Sequence, residues 1–176
     1  MIVSGRQAIA GVLAVLALLG EAGTARAQSL EYQIKANYLV RFAAFVEWPP
    51  SAFASAAAPL NLCVAGRDPF GQALDAAAAA QTAHGRRIAL RRLGERDRTG
   101  GCHIVYLGRG AQPPENGAAV LVVSDSAVTT QRAMIHFVIA TNRVRFHIDK
   151  TAAEQARLQI SSRLLNLALD VRGRAR

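Results

Sequence analysis

Five polar side chains follow apolar runs in a pattern that could bind a small anion. They are Arg67, Asp68, Arg109, Ser124 and Asp125. Arg67 and Asp68 follow one apolar run, Arg109 follows a second, and Ser124 and Asp125 end a third. If these runs are parallel strands, the five side chains lie beyond their carboxyl ends, where open α/β sheets bind ligands. Two arginines with a serine would suit a small anion, although ordinary polar loop residues are the simpler alternative and are preferred here.

Motifs for nucleotide chemistry are incomplete. In "GRDPFGQA", Gly66 and Gly71 have the P-loop spacing, but Gln72 and Ala73 stand where a lysine and a Ser or Thr must contact phosphate and magnesium. The "GRGAQP" stretch that begins at Gly108 lacks the third glycine of the dinucleotide fingerprint. These departures argue against nucleotide-dependent catalysis.

The residue spacing also offers no metal site and no acid–base pair. A metal site needs convergent ligands, and the histidines have no carboxylate or cysteine at a suitable spacing. The Ser124-Asp125 pair does not lie in a nucleophile elbow. We therefore predict no catalytic residues, no metal, no cofactor and no enzymatic activity, and we expect His103, inside an apolar run, to be a hydrogen-bonded core residue. The four histidines are His84, His103, His136 and His147.

The first 27 residues resemble a cleaved bacterial signal peptide. Arg6 supplies a positive start, Ala8 to Leu19 is almost entirely apolar, and Ala25-Arg26-Ala27 fits the small-x-small rule for cleavage before Gln28. The apolar run is shorter than the roughly 20 residues that a membrane-spanning helix needs. We expect export to the periplasm, with a retained membrane anchor as the alternative.

The chain is basic, and export narrows the partners that this charge suggests. It contains 21 Lys and Arg against 12 Asp and Glu, a formal net charge of +9. Removing residues 1–27 leaves 19 basic and 11 acidic residues, or +8. An exported basic protein is more consistent with an anionic membrane, a cell-wall polymer or an acidic protein partner than with nucleic acid. A composition rich in arginine with no specific partner is the alternative.

Cys63 and Cys102 are the two cysteines of the chain. An even cysteine count in an exported protein predicts a disulfide. A bridge that closes a loop of this length, roughly 40 residues, would stabilise the fold by about 4 kcal/mol in the chain-entropy model. Two buried free thiols are the alternative.

The stretch "FAAFVEWPP" ends a predicted amphipathic helix over residues 29–47. Ile34, Tyr38, Phe42 and Phe45 fall on one apolar stripe at helical spacing. Lys35 also falls in this arc, where its stem could pack while its amine reaches water. The proline after Trp48 ends the helix there, which leaves this indole off the stripe. Trp48 is therefore a candidate partner-binding residue, with packing under the following loop as the alternative.

The rest of the chain alternates between strand and helix patterns. We predict strands at 60–66, 86–93, 102–108 and 118–125, a helix at 70–80, a hairpin of 134–140 and 143–149 with one wet face, and a last helix at 150–171. This order predicts an α/β fold, a three-layer α/β/α sandwich around a mixed sheet of about six strands. We expect a single domain over 28–171 and a disordered tail at 172–176.

Six segments, in order, make the chain resemble the YfiR family of periplasmic proteins. They are "EYQIKANYLVRFAAFVEWP", "LCVAGRDPFGQAL", "CHIVYLG", "VLVVSD", "MIHFVIATNRVRFHID" and "LQISSRLLNLA". The resemblance extends from about Glu31 to Leu169. It implies an exported α/β/α domain, often a homodimer, that acts as a regulator rather than as an enzyme.

The same resemblance implies a partner. The family's best-known members bind the periplasmic sensor region of an inner-membrane diguanylate cyclase and hold the cyclase inactive, which lowers cyclic di-GMP and limits biofilm. The family pair that matches Cys63 and Cys102 is disulfide-bonded. This sequence lacks the family's second cysteine pair, and its Arg109–Gly117 connection is shorter than the usual helical one.

Overall fold

The structure, a computed structural model, describes residues 29–94, 97, 99–115, 118–125 and 133–173. The predicted signal peptide and its cleavage site lie outside these residues, as do residues 174–176 of the predicted tail. None of the described helices is long and apolar enough to cross a membrane.

The described chain forms four α-helices and ten strands. The helices are α1 at 29–42, α2 at Gln72–Ala79, α3 at Lys150–Gln155 and α4 at Ser162–Leu167. The strands are β1 (Val46–Glu47), β2 (Leu60–Ala65), β3 (Thr82–Ala83), β4 (Arg86–Leu93), β5 (Ile104–Leu107), β6 (Leu121–Asp125), β7 (Ile135–Ala140), β8 (Arg143–Asp149), β9 (Gln159–Ile160) and β10 (Asp170–Arg172).

The central sheet is mixed, as predicted, and has eight strands rather than about six. Its spatial order is β10-β8-β7-β6-β5-β2-β4-β3. The five strands from β7 to β4 in that order are parallel, whereas β8 and β3 run antiparallel to their neighbours β7 and β4. The predicted count missed the short edge strands β3 and β10. The fold is thus the predicted α/β sandwich.

The predicted hairpin is present, and its turn explains its register. Thr141 and Asn142 both have positive φ, 48° and 56°. Two successive left-handed residues are the requirement of a type I′ turn, whose twist matches that of the flanking strands. Val144 and Phe146 of β8 then face the core, so the predicted alternation is confirmed.

Helix α1 ends earlier than predicted, and its buried face differs from the predicted stripe. It stops at residue 42, because Val46 and Glu47 leave the helical path to pair with β9 as a small antiparallel sheet. Such long-range pairing overrides local helical pattern. The buried face centres on Ala36, Leu39 and Ala43, whereas Ile34 is 40% exposed. Ile34, which the sequence pattern places on the apolar stripe, therefore lies outside the buried face.

The predicted last helix, 150–171, is wrong as a single element. Arg157 adopts a left-handed conformation with φ 60°, and the N–H of Leu158 donates to the carbonyl of Ala153, which is a typical helix ending. Ser161 then caps α4, and its side chain accepts a hydrogen bond from the N–H of Leu164. The chain closes with β10, which pairs with β8 up to Arg172. Residue 172, expected in the tail, thus belongs to the sheet.

Candidate functional site

The carboxyl ends of β2, β5 and β6 meet at one edge of the sheet, as the anion-site hypothesis required. These strands are adjacent and parallel. The loops after β2 and β5 touch, because the N–H of Arg67 donates to the carbonyl oxygen of Arg109 at 3.0 Å. A Cβ added at Gly108 would lie 2.1 Å from the carbonyl oxygen of Arg67. Only glycine fits this crossing, so the two loops are held together at the edge.

Asp125 lies at this edge but points inward, to a buried polar cluster under α1. One of its carboxylate oxygens accepts hydrogen bonds from the Lys35 amine at 3.1 Å, the Tyr32 hydroxyl at 3.1 Å and the Tyr106 hydroxyl at 2.8 Å. Lys35 also pairs with Glu31, one turn earlier on α1, at 2.5 Å. The carboxylate is thus surrounded by donors from α1 and β5.

The Lys35 amine does not reach water, which corrects the prediction. Lys35 and Asp125 are each 1% exposed. Burying a charge is costly unless it is paired, and here the ammonium lies between two carboxylates. The pair fastens the first turns of α1 to the end of β6.

The two phenols of this cluster remain protonated donors over the physiological range. Burial, followed by the charge of Asp125, raises the pKa of Tyr32 to about 12. The same two causes, in the same order, raise the pKa of Tyr106 well above its ordinary value. Both hydroxyls therefore donate to Asp125 rather than acting as bases.

Ser124 does not converge with Asp125, because successive strand residues point to opposite faces. Its side chain is fully buried, and its hydroxyl lies 2.9 Å from Nδ1 of His136 on β7. Burial lowers the pKa of His136, with an opposing contribution from the charge of Asp125. The cross-strand neighbour of His136 is His147, and both line a cleft on this second face.

The side chain of Asp68 also makes hydrogen bonds within the protein. One carboxylate oxygen accepts from the N–H of Phe70 at 2.7 Å, which holds the turn before α2, and the other accepts from Nε of Arg92 at 2.7 Å. Arg92 continues to Asp75 on α2. Hydrogen bonds to Asp75 and Asp68 raise the pKa of Arg92, and the bond with Arg92 lowers the pKa of Asp75.

The predicted five-residue set is therefore divided. Arg67 and Arg109 are exposed at the sheet edge, and neither forms an ion pair with another described residue. The other three, Asp68, Ser124 and Asp125, hold internal contacts. The edge can offer two guanidinium groups to an anion, without the serine hydroxyl.

Trp48 lies in the core rather than on the surface. It is 8% exposed, and its indole N–H donates to the carbonyl oxygen of His103 at 3.1 Å. His103 is the hydrogen-bonded core histidine that the sequence predicted. Its Nδ1 accepts from the N–H of Asn61, and its Nε2 lies 3.0 Å from the carbonyl oxygen of Ala52, so the ring is neutral with the proton on Nε2. Burial lowers the pKa of His103.

The predicted disulfide is confirmed. Cys63 on β2 and Cys102, just before β5, are bonded, with their Cα atoms 5.9 Å apart. The bridge closes a loop over a sequence separation of 39. The bridge links the residue just before β5 to the neighbouring strand β2, close to the contact between Trp48 and His103.

Sequence reasoning missed the cluster around Asp125. Tyr32 and Lys35 come from α1 and Tyr106 comes from the distant β5, and each lies locally within an apolar pattern. The one available signal was the lysine within the apolar arc of α1, because a buried lysine needs a carboxylate partner. Within the residues that the structure describes, no group of three or more His, Cys, Asp or Glu side chains could hold a metal ion.

These features define a class: a disulfide-linked α/β domain whose sheet-edge carboxylates and serine serve its own structure. The model of the YfiR/HmsC-like family matches residues 32–169. The match covers most of the chain, so the protein belongs to the YfiR/HmsC-like family. A comparison with curated proteins gave no match.

Proposed function

We propose that this protein is a periplasmic regulator that represses a membrane-bound diguanylate cyclase by binding the periplasmic sensor region of that enzyme. The observation that carries this proposal is the family match over residues 32–169. Through this repression the protein would lower cyclic di-GMP and limit biofilm formation. It would act as a binding protein and not as an enzyme.

The compartment of this proposal is consistent with the chemistry of the chain. The Cys63–Cys102 disulfide requires an oxidising environment to form and persist, and the periplasm provides one. The sequence of residues 1–27 supplies a means of export, with cleavage before Gln28.

Repression would work by a shift of conformational populations. The sensor exchanges between states that switch the cyclase on or off, and a protein that binds the inactive state more tightly increases its population. To move the sensor from mostly active to almost fully inactive requires a preference of about 10⁴-fold, or about 5.5 kcal/mol. That preference must come from contacts that only the inactive state of the sensor offers, because equal affinity for both states shifts nothing.

Co-purification tests the proposal. A tagged form of the exported protein is expected to retain the isolated periplasmic sensor of a membrane diguanylate cyclase from the same organism. The sensor of an unrelated membrane cyclase serves as the control. Failure to retain the cognate sensor would remove the basis of the proposal.

Binding of a small anion is the second candidate. It is favoured by the contact between the Arg67 and Arg109 loops, which keeps two exposed guanidinium groups at one edge. Inorganic phosphate is then expected to raise the melting temperature, and Arg67→Ala and Arg109→Ala should each abolish the shift. Arg87→Ala, at an exposed site on β4, is the matched control. A shift that survives in both edge variants would contradict this candidate.

A further inference from the structure

The exposed apolar side chains of this protein are concentrated in one place. Among the described residues, five large apolar side chains are exposed, and four of them line a single open groove of about 980 Å³. We call it the α1–hairpin groove. Its four exposed apolar residues are Leu30, Ile34, Ile139 and Leu167. A concentration of this kind typically marks a binding surface, whereas single exposed leucines do not.

The groove arises because the apolar face of the β7–β8 hairpin extends past its cover. Tyr38 of α1 packs against Phe137 and Phe146 of the hairpin, with ring centroids 6.3 and 5.6 Å apart. Further towards the turn, Ile139 lies on the same face as Phe137 but is 48% exposed. The hairpin core therefore continues without a break into a surface that nothing in the described chain covers.

Helix α1 provides the opposite wall. Leu30, Ile34 and Tyr38 are spaced four residues apart and so form one ridge along the helix. This ridge flanks the buried face instead of belonging to it. Ile34 matched the apolar stripe in the sequence for this reason, although its side chain faces outward into the groove.

The charges at the rim of the groove are unbalanced. Arg143 and Arg145 of β8 line it, and neither forms an ion pair with another described residue. The acidic group at the groove, Glu31, is already paired with Lys35. The groove therefore combines an apolar floor with uncompensated positive charge, and a carboxylate would complement it.

We infer that the α1–hairpin groove is the docking site for the cyclase sensor, and that it takes a segment with apolar side chains flanked by an acidic one. This inference rests on the proposed function and assigns its surface. The apolar side chains would cover Ile34, Ile139 and Leu167, and the carboxylate would pair with Arg143 at the rim. The buried Lys35–Asp125 pair holds the first turns of α1, so the helical wall is already in place before binding.

The affinity of the sensor for variants of the exported protein tests the inference, measured by calorimetry. Ile139→Asp and Arg143→Glu should each weaken binding at least about tenfold, because the first places a charge on the apolar floor and the second reverses the charge at the rim. Arg87→Glu, at an exposed arginine on β4 near the other end of the sheet, should change the affinity less than about twofold. The loss in Arg143→Glu should shrink as salt is raised, because its charge contribution is screened.

Three results would overturn the inference, and they are distinguishable. If the wild-type protein does not bind the sensor, the proposed function fails, and the inference that the sensor docks in the groove fails with it. If the wild type binds and both groove variants bind equally well, the function stands and the sensor docks elsewhere. If the groove variants instead convert a wild-type dimer to a monomer in sedimentation, with sensor binding unchanged, the groove is occupied by a second copy of this chain. Arg143 is exposed, so its variant remains informative even if Ile139→Asp is poorly folded.

Discussion

Removing the Lys35 amine is the sharpest test of how α1 is held on the sheet. In Lys35→Met the alkyl stem is preserved, but Asp125 loses its cation while remaining buried. Breaking a buried ion pair by deleting one partner costs about 3–5 kcal/mol. Since Tyr32 and Tyr106 still donate to the carboxylate, we expect the lower end of this range, about 3 kcal/mol.

The chain contains a matched control for this substitution. Its other lysine, Lys150, also pairs with a glutamate four residues away, Glu154, but on the surface. Exposed pairs of this kind are worth about 0.3–0.5 kcal/mol, so Lys150→Met should scarcely change stability. The comparison therefore isolates the buried contact with Asp125, because residue type, substitution and the presence of a glutamate one helical turn away are the same.

Urea unfolding followed by the fluorescence of Trp48, the single tryptophan, measures the difference. The loss of about 3 kcal/mol in Lys35→Met corresponds to a melting temperature lower by roughly 6–12 °C for a domain of this size. Adding Asp125→Asn to Lys35→Met should recover part of the loss, because no buried charge then remains unpaired. If Lys35→Met falls within about 1 kcal/mol of Lys150→Met, the amine is hydrated and this account of α1 is wrong.

The remaining predictions concern the disulfide, pH and the tryptophan. Cys63→Ser should lower the unfolding free energy of the oxidised protein by about 4 kcal/mol. The wild type should lose a similar amount in reductant, whereas the unfolding free energy of the variant should not change with reductant. Because burial lowers the pKa of His103 below its unfolded value, the stability that this residue contributes is complete above about pH 6.5 and is lost as pH falls. The unfolding free energy should thus decrease on acidification, and His103→Gln should reduce that slope; an unchanged slope would exclude His103 as a source. Trp48→Phe should cost about 1 kcal/mol for the lost hydrogen bond, since the carbonyl that it releases still accepts from the N–H of Leu121, and a further amount for the void left in the core. An unchanged unfolding free energy would contradict this packing of the indole.

Elements with a strong local signal were predictable from the sequence. Strand β4 has the predicted bounds, Arg86–Leu93, and the hairpin turn lies at Thr141 and Asn142 as expected. Both depend on short-range patterns, namely apolar alternation and a two-residue turn, which act within a few residues. The order of strands and helices between them was enough to predict the α/β sandwich.

Elements that depend on distant pairing were not predictable. Val46 and Ile160 pair with each other across most of the chain, and this pairing shortens α1 and divides the predicted last helix. Neither the segment around Val46 nor the segment around Ile160 contains a local sequence signal that would predict this pairing.

The candidate site was half predictable. The topology placed Arg67 and Arg109 together, as the strand pattern indicated. The sequence could not show that Asp125 turns inward to Lys35, or that Ser124 faces the opposite side of the sheet. Alternation along β6 predicts that the side chains of adjacent residues point to opposite faces of the sheet. It does not predict which of them meets a lysine from a helix 90 residues earlier in the chain.

The cyclic di-GMP content of cells that lack this protein tests the central claim most directly. We expect deletion to raise cyclic di-GMP, and we expect a second deletion, of the membrane cyclase whose sensor this protein retains, to return it to the wild-type level. Export of the wild-type protein from a plasmid should restore repression, whereas an Arg143→Glu form should restore it only weakly. Cyclic di-GMP that is unchanged by the deletion would contradict the claim that this protein holds a diguanylate cyclase inactive.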